Sequence, residues 1–217
     1  MMKRKLMAAA CAAGLLAVAG AMSVMAQSPT IFAGGAVSIE AGGPGVEKET
    51  QSELTKIWGT VLSVNDGSIS IDNQSGNSSA GEVILHISDE NTRILDAVNG
   101  YPVQLSDVKV GEVIYAYIGP AMTMSLPPQT TAEMIICQIP ADYKAPDYIT
   151  VKSMEKNADG SWTLTSTDET VYQIPADCTI IPYMTRQMVY LEGVEKGNQL
   201  LVWSDAENNG QKLVLFN

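Results

Sequence analysis

Leu105-Ser-Asp-Val-Lys-Val-Gly-Glu-Val-Ile-Tyr-Ala-Tyr117 decides how this chain is read. Its first seven residues have the form of one helical turn closed by a glycine, Gly111. Val113-Ile-Tyr-Ala-Tyr-Ile118 then has the β-branched and aromatic texture of a strand. The same form recurs further on. Val189-Tyr-Leu-Glu-Gly-Val-Glu-Lys-Gly197 repeats the spacing of Val103 to Gly111. Gln199-Leu-Leu-Val-Trp203 follows it as Val113-Ile-Tyr-Ala-Tyr117 follows the first.

Outward from this pair, three more blocks recur in the same order. Asp66-Gly-Ser-Ile-Ser-Ile71 is answered by Asp159-Gly-Ser-Trp-Thr-Leu164. Val83-Ile-Leu-His-Ile87 is answered by Thr170-Val-Tyr-Gln-Ile174, and Glu90-Asn-Thr-Arg-Ile94 by Asp177-Cys-Thr-Ile-Ile181. Shared order and spacing predict tandem repeats. Strands are expected over Ile57–Val64, Ser68–Asp72, Glu82–Ile87, Val113–Ile118 and Glu133–Gln138. Thr92–Leu95 is a short extension. In the second unit, Tyr148–Met154 and Lys212–Phe216 complete the set. Gly67 and Gly160 are expected at positive φ, because an Asp-Gly turn between adjacent strands commonly needs it.

Five strands, with a helical turn and a glycine before the fourth, fit a small, partly open barrel of the OB type. The chain is therefore expected to be all-β. Two tandem five-stranded OB-like barrels would occupy residues 56–138 and 148–217, with β-sandwich units as the alternative. Residues 139–147 hold Pro140 and Pro146 in a short span, the composition of a stiff linker. These patterns resemble families of exported bacterial proteins with OB-like β-barrel repeats. The resemblance rests on the Asp-Gly turn, the threonine after the third strand and the glycine before the fourth. It carries no catalytic residue over and implies no agreed activity.

The amino terminus predicts the compartment. Lys3, Arg4 and Lys5 precede an apolar run from Leu6 to Val24, and Val24-Met-Ala26 places small residues at a cleavage site. This reads as a secretory signal peptide over residues 1–26, cleaved after Ala26, and the protein as secreted or extracytoplasmic without stable membrane insertion. A retained membrane anchor is the alternative. Residues 27–55, rich in Gly and Glu, read as a flexible leader. Cleavage removes three positive charges and takes the net charge from −11 to −14. Such a surface repels nucleic acid phosphates and anionic membranes. Cys137 and Cys178 then remain; an exported chain permits them to pair, and a core of this size does not require it.

No catalytic constellation is visible. His86 is the lone histidine and alternates with Leu85 and Ile87, so it is expected to face solvent. One histidine and two distant cysteines make a poor zinc set, so no metal or cofactor is expected. Asp205-Ala-Glu-Asn-Asn-Gly210 departs from a calcium loop at Glu207 and reads as a hairpin turn. Tyr172 and Trp203 align with Leu85 and Tyr117 and are expected in the core. Tyr183 and Tyr190 align with polar residues and are candidates for exposed, glycan-binding aromatics. The feature found only in the first unit is the loop Gly119–Thr131, with Pro120, Met122, Met124, Leu126, Pro127 and Pro128. The spacing of Met122, Met124 and Leu126 gives an extended loop one apolar side. It would either plug its own barrel or serve a partner as a binding ridge. The expected function is a non-enzymatic exported binding module for a protein or glycan partner. The alternatives are a hydrolase of cell-wall or host polymers, acting through acidic residues between the units, and a structural spacer in an envelope assembly.

Overall fold

The computed structural model describes residues 54–216, which belong to one compact unit. The signal peptide and residues 27–53 of the expected leader lie outside the described residues. The described chain is all-β, with two short 3-10 turns at Leu105–Asp107 and Leu191–Gly193. Its strands are β1 (Thr55–Asn65), β2 (Ser68–Asn73), β3 (Gly81–His86), β4 (Arg93–Asp96), β5 (Val113–Ile118), β6 (Gln129–Cys137), β7 (Asp147–Lys156), β8 (Trp162–Ser166), β9 (Val171–Ile174), β10 (Thr179–Pro182), β11 (Gln199–Ser204) and β12 (Gly210–Phe216).

The first sheet runs β3-β2-β1-β5-β6-β4, and β3 also pairs with β6, so five strands close into a barrel. The second sheet runs β9-β8-β7-β11-β12-β10, the same order with each strand replaced by its counterpart. Each half thus holds six strands where five were expected. β4 and β10, read from sequence as a short extension and its counterpart, are parallel strands on β6 and β12.

Local chemistry explains the matching elements. Gly67 and Gly160 have φ of 75° and 90°, a region that side chains with a Cβ avoid. Gly111 donates its N–H to Val61 O at 2.9 Å, and Gly197 donates to Val151 O at 2.8 Å. Each helical turn is thereby pinned to the first strand of its half. The pairing register also slips just after Val61 and just after Val151, so these two valines are structural counterparts.

Three apolar clusters hold the molecule together. Ile57, Val61, Ile69, Ile71, Val83 and Leu85 belong to the barrel core. Val151, Trp162, Leu164, Tyr172 and Ile174 belong to the core of the second sheet. The third lies between the halves and joins Leu95, Tyr117 and Met134 to Tyr148, Trp203 and Phe216. Trp203 Nε1 donates to Ala97 O at 2.8 Å across this junction, satisfying the one polar atom of a buried indole. Ile139 and Ala145 of the proline-containing segment pack into the same cluster.

Candidate functional site

The site forms where the halves differ at equivalent positions. Counting back four residues from the paired valines, Asp147 stands where Ile57 stands. Ile57 is fully buried in the barrel core. Asp147 shares its strand face with Ile149 and Val151, both in the second core, so it too points inward. Tyr172 pairs with Leu164 as Leu85 pairs with Ile69, which places Tyr172 at the position of Leu85. Two apolar core positions of the first half are therefore an acid and a phenol in the second. They meet each other: Tyr172 donates its hydroxyl to Asp147 Oδ2 at 3.2 Å.

The other oxygen of Asp147 belongs to the first half. Lys56 Nζ donates to Asp147 Oδ1 at 2.5 Å. Lys56 sits on the outer face of β1, and its ammonium lies 4.7 Å from the Tyr115 ring centre and 5.8 Å from that of Tyr117. Tyr117 is opposite Lys56 in the β1–β5 ladder, and its hydroxyl accepts the Tyr148 N–H at 2.9 Å. Burial, then the Asp147 charge, push both the Tyr117 and Tyr172 phenols far above their ordinary range. At neutral pH both phenols keep their protons and neither is a base; Tyr172 donates its proton to Asp147, and Tyr117 keeps its own while accepting from Tyr148.

These groups line a cleft of about 460 Å³. The β8–β9 turn also lines it, with Ser166, Thr167, Asp168 and Thr170. Asp168 Oδ1 accepts from the Ser166 hydroxyl and from the Thr170 N–H, the latter at 3.1 Å, which fixes the turn. The cleft therefore joins the inward end of the second sheet to the outer face of the first.

The residues singled out from sequence lie elsewhere. Met122 packs on the barrel core, but Met124 and Leu126 are fully exposed. The one-sided strip expected from their spacing does not form, because the loop folds back on itself. Thr123 donates its N–H to Gln129 O at 2.9 Å, and the Thr123 hydroxyl accepts from the Gln129 N–H at 2.9 Å. Residues 124–127 are thus the tip of a turn, where alternation no longer sorts side chains between faces. Pro120 is exposed, and Pro127 and Pro128 are half-buried. Pro128 O accepts the Ile84 N–H at 2.9 Å, so the loop's far end leads into the closing strand.

Tyr190 is exposed, whereas Tyr183 is half-buried at the junction, its ring 4.6 Å from that of Phe216. Tyr183 also lines a second, larger cleft of about 650 Å³ with Arg93, Asp66, Asp89 and Glu90. His86 faces solvent and bonds Gln129 Oε1 at 2.9 Å. Cys137 and Cys178 are both free thiols. Burial, helped by Glu112 and Asp177 respectively, pushes them up to about 12 and about 11. Asp205 accepts from the N–H groups of Glu207 and Asn209, which makes its segment the expected turn. Lys144 caps that turn, donating to Ser204 Oγ at 2.8 Å and Asp205 O at 2.6 Å. Among the described residues, no group of three or more His, Cys, Asp or Glu side chains is placed to hold a metal ion.

Sequence reasoning passed over Lys56, Asp147, Tyr117 and Asp168. The signal was present in the repeat: a core valine four residues on marks Asp147 as an inward position. Compared with protein-family models and with curated proteins, the sequence matches none.

Proposed function

We propose that this chain is an exported, non-enzymatic binding module built of two tandem OB-like units, with its ligand seat in the cleft between them. The carrying observation is the Lys56–Asp147 ion pair, which joins the halves and lines the cleft. Both charges are half-buried, where a charge left unpaired carries a cost, and the counterpart of Asp147 in the first half is a fully buried isoleucine. The fold itself does not call for an acid there, so a role at the cleft is the better account of it. The signal-peptide pattern supports export, with release after Ala26. The acidic surface favours a protein or glycan partner over nucleic acid.

Replacing the pair by apolar side chains, Lys56→Met with Asp147→Leu, tests this reading. Partners captured from the producing cell's envelope and medium should be lost at unchanged melting temperature. Identical capture by both proteins would overturn the reading. The hydrolase alternative has one observation in its favour, since Asp147 and Asp168 line the same cleft. Against it, Asp147 spends one oxygen on Lys56 and the other on Tyr172. Polysaccharide or peptide cleavage abolished by Asp168→Asn would replace the binding reading with this one.

A further inference from the structure

Resting on the cleft as a binding seat, we infer that its ligand is an uncharged polyhydroxyl molecule, a neutral saccharide. The cleft offers hydrogen-bond donors and acceptors together. Tyr117 is buried, and its hydroxyl accepts the Tyr148 N–H while its own proton has no acceptor among the described contacts. The Lys56 ammonium gives one of its three N–H bonds to Asp147. Asp168 Oδ1 is engaged by its own turn, which leaves Oδ2 as an acceptor. Thr150, Thr167 and Thr170 line the same space, and a threonine hydroxyl can both donate and accept.

Charge then narrows the class. Lys56 and Asp147 cancel each other within the cleft lining. An anion entering the cleft meets Asp168 beside that cancelled pair, under the field of a strongly acidic chain. A cation finds both oxygens of Asp147 already engaged by Lys56 and Tyr172, which leaves it Asp168 Oδ2 alone. A neutral ligand meets neither penalty and uses both kinds of hydrogen-bonding group. Leu54, Ile149 and the edges of the tyrosine rings supply apolar wall, which suits the C–H faces of a sugar ring. The volume of about 460 Å³ lies within the range of small-molecule sites.

Calorimetric titration of the mature protein tests the inference. The probes are maltohexaose, cellohexaose and N-acetylchitohexaose as neutral sugars, an oligogalacturonate as the anionic one and a chitosan oligomer as the cationic one. A neutral hexaose should bind, with the charged oligomers weaker by about tenfold or more. Thr170→Val and Tyr117→Phe should each weaken it by about tenfold, the loss of one well-made hydrogen bond. Thr170→Val guards against a folding defect in Tyr117→Phe, whose hydroxyl also holds the β7 backbone. A charged oligomer that binds more tightly, and is lost in the same variants, overturns the saccharide inference and leaves the cleft as the seat. Silence of every probe overturns the inference as well, and the partner-capture experiment still judges the seat independently. A hexaose bound equally by wild type and variants overturns both.

Discussion

The first barrel closes and the second sheet stops short of closing, although their strand orders are the same. In the first half, Ile84↔Gln129, Leu85↔Thr130 and His86↔Thr131 form a parallel ladder between β3 and β6. In the second half this seam is a single bridge, Gln173↔Asn209, at the position of His86↔Thr131. The cause lies in the connections. The β5–β6 segment turns at its own tip and returns early enough for β6 to begin at Gln129. The β11–β12 segment is a tight turn held by Asp205 and Lys144, so the chain is still turning where its counterpart already pairs. Closure is therefore set by connection length rather than by strand composition. The half that stays open is also the half that carries Asp147 and Tyr172 at core positions.

The largest expected effect comes from exchanging those core positions. Ile57→Asp places an unpaired carboxylate in a closed apolar barrel and should cost about 3–5 kcal/mol. The reverse change, Asp147→Ile, removes an ion pair whose lysine side chain is 34% exposed and can reach water. It should cost no more than about 1 kcal/mol, and less again when combined with Lys56→Met. Urea unfolding measures both. Equal losses would mean that the two positions are not distinguished by their surroundings.

A smaller effect tests the closure. Replacing the long β5–β6 connection, residues 119–128, by the five residues Asp205–Asn209 of the other half should reopen the barrel seam. The loss of the three-pair ladder should cost about 2–3 kcal/mol, at roughly 1 kcal/mol per net hydrogen bond. Met124→Ser with Leu126→Ser, at the solvent tip, should stay within about 0.5 kcal/mol of wild type. An unchanged midpoint for the shortened protein would dissociate the loop from closure.

How far the sequence could be read follows from the same two halves. Period-two patterns survive errors of two residues and fail on errors of one. The Asp-Gly-Ser match sets Leu164 against Ile71, whereas the ladders set it against Ile69, because the second hairpin has the longer loop. Both positions face the core, so the slip did no harm. The match of Ile181 to Ile94 is off by one: β10 pairs Ile181 with Val214 as β4 pairs Leu95 with Ile136. That slip set Tyr183 against the half-buried turn acceptor Asp96, when its counterpart is the buried Ala97. Its expected exposure failed for that reason. The cleft was illegible for a different reason. Lys56 and Asp147 are 91 residues apart and meet only because the halves dock. Spacing within one half carries no trace of that contact.

The turns distinguish the halves more finely. Gly67 lies in a two-residue connection between the paired residues Asn65 and Ser68. Gly160 lies in the five-residue loop between Lys156 and Trp162. A Cβ meets no atom within 4 Å at either glycine, so the cost of a side chain is conformational alone. Gly67→Val and Gly160→Val should each cost about 1 kcal/mol or more. The longer loop can redistribute its dihedrals, so Gly160→Val should be the milder. Thermal melts that rank the two the other way would show that the longer loop is the more rigid.

The smallest expected effect is a dependence on pH carried by three carboxylates of the second half. Asp159, Glu192 and Asp205 are held below the ordinary carboxylate range, and all three lie beyond Asp147 in the chain. For Asp205 the first cause is the Asn209 side chain, followed by the Asn209 N–H, with Lys144 adding a favourable charge. A carboxyl whose pKa is depressed on folding is more ionised in the folded than in the unfolded chain. Its contribution to stability is therefore complete above the ordinary aspartate pKa of about 4 and disappears as pH falls through the lower folded value. Asp205→Asn should lower the melting temperature slightly near neutrality, and the difference from wild type should vanish in that acid window. Amide exchange at Glu207 and Asn209, whose N–H groups bond Asp205, should accelerate over the same pH range. A melting difference that persists below the window would assign the Asp205 effect to shape rather than charge.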